Sequence, residues 1–82
     1  MSTKTLSPKL RKIILSAQRN ELTEYFIYKK LAASIRDPHN AKILKEISKD
    51  ELKHYNIWKE FTGEELKPRR IIIWLYFVIA RI

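Results

Sequence analysis

The chain has 82 residues, no cysteine, and 17 Lys and Arg against 9 Asp and Glu, for a net charge of +8. That length makes one small domain, of a size that often relies on a metal or an oligomer for stability. The missing thiol excludes disulfides, thiolate zinc sites, iron–sulfur clusters and cysteine catalysis.

Residues 1–7 form a polar lead, expected to be disordered up to Ser7, which caps the helix that Pro8 opens. No Gly or Pro interrupts residues 9–37, so one helix is expected from Pro8 to about Ile35 or Arg36, ~40 Å long. Asp37-Pro38 repeats the start signal, and the proline disfavours helical geometry at Asp37. The second helix runs to about Thr62, with the only glycine, Gly63, as the residue that ends it. So short a connection between long helices predicts antiparallel neighbours, a hairpin over residues 8–63. Residues 64–82 are then a polar linker and an apolar third element that Pro68 opens. Its Ile, Trp, Tyr, Phe and Val content fits a strand by propensity, but its place after Pro68 and beside helices favours a short helix. The apolar run from Ile71 to Ala80 is too short to span a bilayer, which needs about 20 residues. No signal peptide is visible, so the reading is a cytoplasmic all-α protein, with a membrane surface as a further contact for the apolar segment. The positive charges are spread rather than clustered, which fits solvated helix faces and argues against nucleic acid as the partner.

The buried stripes carry the chemistry. At steps of four and three from Leu10 lie Ile14, Ala17, Glu21, Glu24, Tyr28, Leu31 and Ile35; a second stripe runs Leu44, Ile47, Glu51, His54, Trp58 and Phe61. That spacing marks the buried seam of a packed helix. An unpaired carboxylate there costs several kcal/mol, so three of them with a histidine imply a partner, and the simplest shared partner is a metal ion. Glu51 and His54, three apart, project from one helix face, and Glu-x-x-His on a helix is the pair that carboxylate-bridged di-metal bundles use. The hairpin register supports this. Glu21 lies about 16 residues before Asp37, and Glu51 and His54 about 14 and 17 after it, so all three share one height. Glu24, about 13 before the turn, is an additional or alternative ligand. Tyr28 either hydrogen-bonds a ligating carboxylate or packs as plain aromatic core. Trp58 and Phe61 are expected in the core and His39 on the surface. Against a metal stands a seam that drifts to solvent, its acids paired with Lys45, Lys49 or Lys53.

These residues resemble the rubrerythrin branch of the ferritin-like superfamily. The likeness rests on Glu21 and Tyr28 in the first helix and on Asp50, Glu51, Lys53 and His54 within KDELKH in the second. It is similar above all to the rubrerythrin-like domain fused to vacuolar iron transporters, over the stretch from Asn20 to Pro68, and it also resembles encapsulated ferritins. The resemblance implies a di-iron site that oxidises Fe(II) with oxygen or peroxide, or hands iron on. It makes Glu21, Glu51 and His54 ligands and Tyr28 a hydrogen-bond donor behind them. A full rubrerythrin domain has four helices and repeats these ligands on its second pair, whereas this chain carries one Glu and one Glu-x-x-His. Two metals in this class want about four carboxylates and two imidazoles, so a homodimer, or a higher oligomer, should complete a four-helix bundle around iron. Manganese is the alternative metal. The rival functions are a metal-binding or iron-delivery module without turnover, and a basic helical protein that binds nucleic acid or a membrane surface.

Overall fold

A computed structural model describes residues 6–81, with side chains to residue 79. The first five residues of the expected disordered lead, and Ile82, lie outside the described residues. Among those described, the chain forms three helices and no strand: α1 (Pro8–Ser34), α2 (Pro38–Thr62) and α3 (Arg70–Arg81). The third element is thus a helix, despite its β-rich composition.

The boundaries follow the local chemistry. The Ser7 hydroxyl accepts from the Leu10 N–H at 3.1 Å, and the Asp37 carboxylate accepts from the His39 N–H at 2.9 Å. Each such cap contributes about 1 kcal/mol. α1 stops at Ser34, a residue or two before the expected end, because Ile35 turns extended (φ −90°, ψ 132°) to lead into the Asp37-Pro38 start. α2 ends where Gly63 takes a left-handed φ of 71° that a Cβ would resist, and its N–H donates to the Lys59 carbonyl at 2.7 Å.

The helices lie in one layer, in an envelope of 46 × 23 × 14 Å. α1 is central. α2 packs antiparallel along one flank and α3 along the other, while α2 and α3 do not meet. α3 runs in the same direction as α1, since Arg69 bonds to Thr23 and Phe77 sits beside Lys30 further along.

This layering corrects the expected seam. Leu10, Ile35 and Phe61 are exposed, and Trp58 is half-buried. The residues buried along α1 are Ile14, Gln18, Leu22, Thr23 and Ile27, and along α2 they are Ser48, Tyr55 and Thr62. An apolar stripe of helical width can cover a neighbour in its own layer and a second layer as well. Here only the first neighbour is present, so Leu10, Glu24 and Ile35 of the first stripe and His54 and Phe61 of the second stay exposed.

The segment between α2 and α3, expected as a plain polar linker, is strapped down by buried side chains. Gln18 is fully buried; its amide donates to the Glu64 carbonyl at 2.7 Å and its oxygen accepts from the Thr62 hydroxyl at 2.7 Å. The Tyr55 hydroxyl accepts from the Leu66 N–H at 3.1 Å, and the Thr23 hydroxyl accepts from the Arg69 N–H at 3.0 Å. Arg11 adds a bond to the Thr62 carbonyl at 3.0 Å and an ion pair with Glu64. Backbone groups that would otherwise be buried without partners are satisfied in turn. Gln18→Leu keeps the volume but strands the Thr62 hydroxyl and the Glu64 carbonyl. It should cost about 1–3 kcal/mol, read in thermal unfolding as a fall of roughly 4–8 °C per kcal/mol. An unchanged midpoint would show that the strap is dispensable.

Candidate metal centre

The antiparallel pairing of α1 and α2 sets Glu21 level with Glu51 and His54, as the register predicts. His54 Nδ1 lies 3.6 Å from Glu21 Oε1 and 3.4 Å from Glu51 Oε1. One donor atom from each of the three residues falls within 4.8 Å of the others. Two of the residues come from one turn of α2, and the third crosses from α1, so the cluster depends on the tertiary register and not on local spacing alone.

The surroundings are two-sided. The side chains of Glu51 and Glu21 are only 17% and 23% exposed, whereas that of His54 is 51% exposed. The carboxylates thus sit at the floor of the open side of the layer and the imidazole at its rim. Beside them, Ile57 and Trp58 line a cleft of about 300 Å³ with Glu21 and His54. Large apolar side chains carry the open side further. Leu10 and Ile13 on α1, and Ile43, Ile57 and Phe61 on α2, are all exposed.

Electrostatics at the cluster are strained toward a cation. The Glu51 carboxyl is raised above the ordinary carboxylate value of 4.5, first by its hydrogen bond with Glu21, then by burial and the Glu21 charge, with His54 pulling the other way. Glu24 is raised too, by burial first and then by the charge and hydrogen bond of Glu51. Glu51 and Glu24 therefore hold protons more tightly, and a cation placed beside them relieves that crowding. No lysine pairs with any of the three among the described residues. Of the alternative, a seam drifting to solvent with ion pairs to Lys45, Lys49 or Lys53, the exposure of His54 and Glu24 is present and the lysine ion pairs are absent among the described residues.

Glu24 lies next to Glu51 but outside the group of three. It opens onto a separate cleft of about 360 Å³ between α1 and α3, shared with Tyr28, Arg69 and Tyr76. Tyr28 lines that cleft, and its hydroxyl makes no hydrogen bond to Glu21 or Glu51 among the described residues. His39 is exposed in the first turn of α2. Sequence reasoning missed Ile57 beside His54, and Arg69 and Tyr76 beside Glu24. Ile57 stands three residues after His54, a spacing that could have found it; the other two are brought there by the strapped linker, which leaves no sequence pattern.

The donor set tests what could bind. Two donors of one ion with bonds of roughly 2.1 Å can stand no more than about 4.2 Å apart, and both imidazole–carboxylate separations meet that limit. Two or three carboxylates with one imidazole suit iron or manganese better than a closed structural zinc site, which favours thiolate and imidazole. No family model matches the chain, and neither a curated protein nor a solved structure matches it.

Proposed function

We propose that this chain is an iron-binding helical protein in which Glu21, Glu51 and His54 hold the metal, with manganese as the alternative ion. In this reading two copies stack their open sides into a four-helix bundle of the ferritin-like, rubrerythrin type, enclosing a di-metal site. One observation carries it: an imidazole and two carboxylates from different helices offer donor atoms within 4.8 Å of one another, beside a cleft lined by Ile57 and Trp58. Exposed apolar surface favours a partner, and the same partner would bring the second set of ligands.

Iron held in such a site supplies one-electron chemistry, with Fe(II) oxidised to Fe(III) by oxygen or peroxide. The chain's own residues would supply the rest. Glu21 and Glu51 give the negative charge that both oxidation states need. His54 would give an imidazole nitrogen at the rim. Glu24, beside Glu51, would take a further coordination position. Ile57 and Trp58 line the cleft beside the imidazole. A metal-binding module without turnover would use the same residues, and oxygen consumption on adding Fe(II) separates the two.

The test is anaerobic titration with Fe(II), with the mass of the assembly followed by light scattering. The expected result is saturation at two irons per dimer. Ile57→Asp, which sets a charge at the centre of the proposed contact, should give a monomer that keeps its helicity and no longer holds two irons. A wild-type monomer that binds two irons tightly would overturn the shared site, and a failure to saturate would overturn the metal site itself.

A further inference from the structure

We infer that the side of the layer opposite the acidic cluster is a docking surface for an anionic phospholipid membrane. This inference does not rest on the metal reading, because the two use opposite sides of the molecule.

On α1, Lys12, Arg19 and Lys30 recur at seven and eleven residues, which keeps them on one side of the helix. On α2, Lys42, Lys45 and Lys49 recur at three and four, on the side turned away from His54 and Trp58. The two rows meet near the hairpin turn, where Lys29, Lys42 and Lys45 line one depression. All of these cations are exposed, and among the described residues none forms an ion pair; the ion pairs present use Arg11, Lys59 and His54. The result is a broad basic surface on a flat molecule.

α3 adds the apolar part. The Lys30 ammonium sits 5.7 Å from the centre of the Phe77 ring, which joins the basic row of α1 to α3. Arg70, Trp74 and Phe77 follow at steps of four and three, so Trp74 and Arg70 share the side of α3 where Lys30 meets Phe77. Trp74 is 61% exposed, and Ile71 beside it is 74% exposed. A tryptophan beside basic residues is the side chain that settles at the headgroup level of a bilayer, and lysines near an anionic surface add attraction one by one. The exposed apolar residues on that side of α3 decide between polyanions: Ile71 and Trp74 gain little from a nucleic-acid backbone but gain burial in acyl chains. No helix among the described residues is long and apolar enough to cross a membrane, so attachment would be at the surface.

The experiment is flotation of the full chain with vesicles of phosphatidylcholine alone and with vesicles that also contain phosphatidylserine. Binding should be at least about tenfold tighter to the anionic vesicles and should weaken as salt rises. The double substitution K45E/K49E should lower binding by at least about tenfold. Trp74→Ser should lower it severalfold and remove the blue shift of tryptophan emission on anionic vesicles. All of these side chains are exposed, and far-ultraviolet circular dichroism checks that each variant keeps its helices. Equal binding to neutral and anionic vesicles, no binding to either, or either substitution leaving binding unchanged would overturn the inference. So would tighter binding of duplex DNA than of anionic vesicles, which would assign the surface to nucleic acid.

Discussion

Glu51→Ala is expected to abolish saturable metal binding. Glu51 is the central acid of the cluster: it meets His54 at 3.4 Å, Glu21 raises its carboxyl, and after burial it is the neighbour that raises Glu24. Its loss removes one carboxylate from each chain and the neighbour on α2 that acts on Glu24. Even residues that merely support a metal ligand are worth 10–100-fold in affinity, so removal of a ligand should weaken binding by more than about 100-fold. Equilibrium dialysis against Fe(II) or Mn(II), followed by elemental analysis of metal per chain, reads this directly. Glu24→Ala should weaken binding by a smaller factor, because Glu21, Glu51 and His54 stay together without it. Undiminished stoichiometric binding in Glu51→Ala would move the metal, if there is one, to a different part of the molecule.

How far the sequence foretold the site depends on which force acts on each residue. The caps at Ser7 and Asp37 and the stop at Gly63 are local, and each is confirmed by a hydrogen bond or a dihedral angle. The common height of Glu21, Glu51 and His54 follows from helix rise and a short turn, so it too was legible. What the stripes could not reveal is which of their residues meet inside the layer and which face outward. Glu21 and Glu24 differ by less than one turn, yet the first reaches His54 and the second opens onto the α1–α3 cleft. That choice is made by where α2 and α3 flank α1. α3 is in turn placed by Thr23, whose hydroxyl holds the Arg69 N–H. A threonine inside a helix carries no pattern that announces such a bond.

The same arrangement explains why the site and the fold are coupled. Gln18 and Thr62 fix the start of the linker, and Tyr55, one residue after His54, holds its middle through Leu66. The helix turn that carries His54 outward therefore carries Tyr55 inward, and rotation of α2 would disturb both. The strap keeps α2 in the rotation that aims Glu51 and His54 at Glu21.

Metal should raise the unfolding midpoint by roughly 10–20 °C at neutral pH. A site filled at a hundredfold excess over its dissociation constant contributes about 2.7 kcal/mol, and each kcal/mol is worth about 4–8 °C in a domain of this size. The pH dependence has a definite sign. Glu51 and Glu24 have folded-state values raised above 4.5, so the folded chain binds their protons more tightly than the unfolded chain does. The stability this adds is complete below 4.5 and is lost as pH rises through the raised values. Without metal, wild type should therefore lose stability relative to Glu51→Gln between mildly acid and neutral pH, since the amide keeps the volume and carries no charge. With metal the order should reverse, because the ion needs the ionised carboxylate that the metal-free protein disfavours. Thermal unfolding of both proteins across this range, with chelator and with Mn(II), tests both halves. A metal-free difference that stays constant with pH would show that Glu51 does not feel Glu21, and a neutral-pH midpoint unmoved by metal would show that the crowded acids are not a site.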